Sequence, residues 1–197
     1  MRTLYRAAIV VMAIMLAVVG VLALQVFYVQ PTTYRADHLS VVKTLSDPSK
    51  KVIIRSWFLK SFNFTELLGW VHENLEYVPF NASFPEEYRS DDPLEIMESG
   101  RGRSREFCVL YVAACLAHGY RCRLVTATEF SLLSWADLHE WAEVRLGDRW
   151  VHVDPLERRL DEREMYRQWS WGNEIGLKVR IFAFEEDLAE DVTLSYA

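Results

Sequence analysis

The chain has 197 residues, 51% of them hydrophobic and 25% charged, a length that predicts one compact domain once an N-terminal apolar run is set aside. A formal net charge of −6 leaves no basic footprint, so nucleic acid is excluded as an expected partner. Three cysteines, Cys108, Cys115 and Cys122, form no CxxC pair and cannot all be bridged, so they read as buried thiols and not as a disulfide framework or a metal site.

From 7 to 29 the chain reads AAIVVMAIMLAVVGVLALQVFYV, without a charge. At about 1.5 Å per residue a helix of this length crosses a hydrocarbon core of about 30 Å, so one N-terminal transmembrane helix is expected, with the lipid bilayer as its partner. A cleaved signal peptide with Val21 and Ala23 at the −3 and −1 positions is the competing reading, but the apolar run exceeds the usual core of such a segment and favours a retained anchor. Arg2 and Arg6 precede the run and Arg35 and Lys43 follow it, which tilts the orientation slightly toward a single-pass protein with an extracytoplasmic domain. The triplets beginning at Asn63 and Asn81 have the form of glycosylation acceptors, a pattern too common to decide the side.

Residues 30–51 are polar, with Pro31, Asp47 and Pro48, and suit a stalk containing a short helix. The expected organisation is a tail and span over 1–29, a linker over 30–51 and a domain over 52–197. Thr65 as an N-cap, followed by Leu67, Leu68, Trp70, Val71 and Leu75 at helical spacing, predicts a helix that ends before Pro79. Residues 80–90 read as loop, and Asp92 with Pro93 begins a short helix that runs through Glu98. After Gly100 and Gly102, residues 104–118 are apolar around almost the whole circumference, with Gly119 placed as the left-handed terminator of a helix buried on all sides.

Residues 120–128 alternate like a strand, and 139–146, Gly147-Asp148 and 149–154 predict a hairpin with a two-residue turn. The charged stretch 156–169 reads as helix and 177–185 as a further strand. Helices first and then an antiparallel sheet define an α+β fold, its central buried helix packed on the sheet. On the hairpin, periodicity brings His139 and Asp154 almost opposite one another on one face.

The segment GRGRSREFCVLYVAACLAHGYRCRLV, followed by DLHEWAEVRLGDRWVHVDPLE, resembles the core of the transglutaminase-like, papain-type superfamily, which includes peptide N-glycanases; with the apolar run ahead of it, the chain looks like an archaeal or bacterial single-pass membrane branch. The resemblance covers roughly 65–157 and implies a papain/transglutaminase-like core with Gly102, Gly119, Arg123, His139 and Asp154 in the family's places. It also implies a nucleophilic cysteine at the start of the buried helix, its thiolate stabilised by the helix dipole and by an imidazolium that the aspartate orients. Counting back from Gly119, that place falls on Ser104, and Cys108 follows one turn later. A serine hydroxyl is a far weaker nucleophile unless a base takes its proton during attack, and it also suits a plain N-cap. Cys108 lies about 6 Å further along an apolar helix, where it reads first as a small core residue with a raised pKa.

The candidate catalytic residues are therefore Ser104 or Cys108 with His139 and Asp154. Taken singly, His139 suits a satisfied strand histidine and Asp154 a turn start before Pro155; taken together they read as an inherited dyad. Trp135, Trp141 and Trp150 are expected around it, lining a cleft. Two functions follow. The first is a membrane-anchored, non-catalytic transglutaminase-like domain whose cleft holds a peptide or protein ligand, a reading tipped by the serine. The second is an acyl-transfer enzyme of protease, amidase or transglutaminase type. No phosphate loop, dinucleotide fingerprint or metal spacing occurs, and no cofactor is expected.

Overall fold

A computed structural model describes residues 2–24, 30–58, 62–79, 89–130, 135–162, 178–186 and 188–196. Helix α1 spans Arg2–Leu24, and its large apolar side chains from Val10 to Leu22 are exposed. Among the described residues no helix is long and apolar enough to cross a membrane. The expected span 7–29 lies partly outside them, since the side chains of α1 are described over 10–23 and residues 25–29 are not.

The polar stretch 30–51 differs from the stalk that its composition suggests. It holds helix α2, Gln30–Leu45, and the first turn of α3, Pro48–Ser56, which Asp47 caps by accepting the Ser49 N–H at 2.8 Å. His38, Val41, Val42 and Leu45 are buried, a stripe at helical spacing that overrides the polar average. The three apolar members join the main core. Arg55 on α3 donates to the carbonyl of Ala117 at 2.9 Å.

Helix α4, Phe64–Asn74, begins two residues earlier than expected. Asn63, not Thr65, is its cap, accepting the N–H groups of Thr65 and Glu66 while Glu66 accepts the Asn63 N–H, a reciprocal capping box. Strand β1, Glu76–Tyr77, pairs in parallel with β2, Arg101–Gly102. Between them α5, Pro93–Ser99, starts at Asp92 and stops at Gly100, whose φ of 62° needs no side chain to be accommodated. Helix α6, Ser104–Ala117, is the central helix, with eleven of its fourteen residues buried. Gly119 at φ 84° ends it, and the Tyr120 N–H turns back to the carbonyl of Cys115 at 3.0 Å.

Strands β3 (Cys122–Phe130), β4 (Trp135–Leu146), β5 (Arg149–Asp154), β6 (Arg159–Leu160), β7 (Lys178–Glu185) and β8 (Leu188–Asp191) form one antiparallel sheet in the order β6-β5-β4-β3-β7-β8. One face, through Leu124, Ala142, Val144, Val153 and Phe184, shares the core with α6. The other, through Val125, Ala127, Trp141, Ile181 and Ala183, closes over Val192 and Tyr196, the latter from a short 3-10 turn, Thr193–Tyr196. The predicted helix over 156–169 is absent from its described part: the chain turns at 155–158 and pairs back onto β5 as β6, and 163–169 lies outside the described residues.

Candidate functional site: a histidine and aspartate hairpin and the start of the central helix

The β4–β5 turn sets the geometry. Leu146 pairs with Arg149 and Ala142 with Val153, so continuing the register puts Asp154 opposite Trp141 and diagonal to His139. Diagonal neighbours on one face remain within reach of long side chains, and His139 Nε2 lies 2.6 Å from Asp154 Oδ2. Asp154 is fully buried, and its other oxygen accepts the backbone N–H groups of Leu156 and Glu157 at 3.0 and 2.9 Å. A carboxylate only accepts, so the imidazole donates through Nε2, and in the neutral ring Nδ1 is the basic nitrogen. Where β4 meets β3 the register slips between Ala127 and Thr128, whose partners are His139 and Asp137. Leu138 is the extra residue, and a bulge of this kind re-aims the side chain beside it.

Ser104 is the first residue of α6, and the cap position belongs to Arg103. The capping work expected of the serine is done by Glu106, whose Oε2 accepts the Arg103 N–H at 2.8 Å. The carboxyl of Glu106 is pushed above its ordinary range, chiefly by burial, against the hydrogen bonds from the helix start. This return of Glu106 explains Gly102, because a Cβ there would sit 2.5 Å from the Cβ of Glu106. The helix start and β4 are tied through the neighbours of the two candidate residues. Arg105, next to Ser104, donates to Glu140 Oε1 at 2.8 Å, and Glu140 is next to His139. Alternation along β4 turns Glu140 toward α6, while His139 shares a face with Trp141.

Cys108 is fully buried. Its thiol is pushed well above its ordinary range by burial first, then by the charges of Glu140 and Asp154, and it is part of the main core. The tryptophans separate. Trp141 is fully buried and stacks on His139, ring centroids 6.0 Å apart. Trp150 sits at the far end of the hairpin opposite Arg145, with the guanidinium of Arg123 at 4.2 Å over its ring, so it does not line the dyad. The side chain of Trp135 lies outside the described residues. Arg123 itself holds the buried carboxylate of Glu143, with contacts of 2.7 and 2.6 Å.

Two networks escape a reading by spacing alone. His38, Arg105, Asp91 and Glu140 meet from four separate elements or loops, with Arg105 donating to Asp91 at 2.6 Å and to His38 at 3.3 Å. On the other face, Trp141, Tyr196, Glu143 and Arg123 form a chain. Among the described residues no group of His, Cys, Asp and Glu could hold a metal ion.

Residues 60–155 match the profile of the Transglutaminase-like superfamily, and a helix packed on an antiparallel sheet is the core that match requires. This stretch of the chain is thus similar to a transglutaminase-like domain. It is 32% identical over 111 residues to the peptide-N(4)-(N-acetyl-beta-glucosaminyl)asparagine amidase of Gallus gallus, covering 55% of this chain and 15% of that one. To the protein of the same description from Oryza sativa it is 30% identical over 119 residues, covering 59% and 23% respectively. The chain therefore spans less than a quarter of the length of either relative. Among solved structures, Rad4-Rad23 bound to a 6-4 photoproduct UV lesion superposes with a TM-score of 0.59 at 12% identity, covering 82% of this chain and 46% of that one, a likeness of fold.

Proposed function

We propose that this chain is a bilayer-anchored transglutaminase-like domain whose cleft beside His139 holds a peptide or protein ligand without covalent chemistry. The observation that carries the reading is at the start of α6: a serine stands where the family's chemistry needs a thiolate, and Cys108, one turn on, is fully buried with its pKa raised. The apolar run 7–29 supports the anchor, and the arginines ahead of it favour an extracytoplasmic domain. A second reading, acyl transfer through Ser104, is favoured by the 2.6 Å contact of His139 with Asp154 and by the amidase relatives.

The two readings part on labelling of the full chain in detergent micelles. A fluorophosphonate probe is expected to leave Ser104 untouched. Ser104→Cys is expected to take iodoacetamide at about pH 6, where an ordinary thiol is protonated, and to lose that reactivity with His139→Ala. Fluorophosphonate labelling of Ser104 that vanishes in His139→Ala would replace binding by acyl transfer. Labelling of the introduced thiol that ignores His139 would sink both readings.

A further inference from the structure

Asp154 and Trp141 both bear on how the imidazole of His139 lies. The bond to Asp154 Oδ2 fixes one edge of the ring. On its face lies the indole of Trp141, with planes 27° from parallel, so a shift of the indole is felt by the imidazole. Trp141 Nε1 donates to the hydroxyl of Tyr196 at 2.8 Å. The same hydroxyl donates to Glu143 Oε1 at 2.7 Å, which spends its single proton and turns a lone pair toward the indole. Tyr196 is 1% exposed, and its ring meets Trp141 edge-on at 5.4 Å. Its turn is docked where Thr193 Oγ1 accepts the Ile181 N–H at 2.9 Å.

From this chain we propose that Tyr196 is a positioning residue for His139, acting through the indole of Trp141. The inference rests on the reading that His139 serves the helix start at position 104. Tyr196 touches no reacting atom; its hydroxyl sets the plane against which the imidazole lies. Removing that hydroxyl takes one hydrogen bond from the indole N–H and one from the Glu143 carboxylate, which keeps Arg123, and the indole is then free to shift against the imidazole. A small displacement of a positioned base lowers its rate sharply.

The test uses the full chain carrying Ser104→Cys in detergent micelles, with iodoacetamide labelling followed against pH. Adding Tyr196→Phe is expected to lower the rate at about pH 6 on the order of ten- to a hundredfold. The rate at about pH 9, where the thiol ionises unaided, stays the same. Trp141→Phe, which keeps an aromatic ring and removes the indole N–H, is expected to do likewise. Glu190→Gln, at the exposed end of the same network where Arg123 reaches it at 3.0 Å, is expected to leave the profile unmoved. A Tyr196→Phe profile that overlays its parent overturns the proposal, while dependence on His139 keeps the site reading intact. An equal fall at every pH also overturns it, since that marks a general loss of structure. Should Tyr196→Phe fail to fold, Trp141→Phe decides by the same criterion. If the parent itself is indifferent to His139→Ala, the site reading falls and takes this one with it.

Discussion

The carboxyl of Glu106 lies over the first turn of α6, accepting the Arg103 N–H at 2.8 Å with 3% of the residue exposed. Burial raises its pKa above the ordinary 4.5. Between 4.5 and the higher folded value the native state therefore holds more proton than the unfolded chain, and stability falls as pH rises through that window. Glu106→Gln keeps an oxygen for the Arg103 N–H and has nothing to titrate. Urea unfolding midpoints of the two proteins are expected to diverge with rising pH, the wild type losing ground to the variant from about pH 4.5 upward. Parallel midpoints across that range would mean that the Glu106 proton is not linked to folding. At the same helix start, Ser104 is the first helical residue, and the cap position belongs to Arg103.

Helix α2 carries the clearest lesson at the scale of elements. Leu45 is fully buried in the main core, so Leu45→Ala is expected to cost about 2–5 kcal/mol, read from denaturant unfolding of the full chain. A cost within about 0.5 kcal/mol would return α2 to the status of a linker. Its stripe of His38, Val41, Val42 and Leu45 was readable, but the prolines, serines and charges around it dilute any composition average. The central helix, the Gly119 terminator, the Asp92 cap and the β4–β5 hairpin were legible because each has a local cause: all-round apolarity, a left-handed glycine, a capping side chain, a tight turn. Asn63 and Thr65 are both good caps, and only backbone direction, which a sequence does not display, separates them. The partners of Trp141 and Arg105 were illegible for another reason, being set by contacts 14 to 67 residues apart that no local pattern encodes.

For the whole molecule, the apolar surface of α1 is the feature that its packed domain does not consume, with Val11 56% and Leu16 66% exposed. If the run 7–29 enters a bilayer as proposed, the chain made with liposomes is expected to float with them and to resist alkaline carbonate. The double substitution Val11→Lys and Val18→Lys, at about 2.5–3.5 kcal/mol per charge near the centre of a span, is expected to release it. Carbonate extraction of the unaltered chain would remove the anchor from the proposal.

The hairpin that holds His139 and Asp154 closes through Gly147 and Asp148 alone. Their bond thus belongs to one short excursion of the chain, whereas Ser104 arrives from a separate helix. Loop closure over so few residues is cheap and quick, so the pair is able to form and persist whether or not anything reactive stands across from it. Selection acting on a hydroxyl or thiol at the helix tip is in this way uncoupled from selection on the hairpin, and a lineage that lost its nucleophile would go on displaying an orderly base and carboxylate for as long as the strand ends needed them.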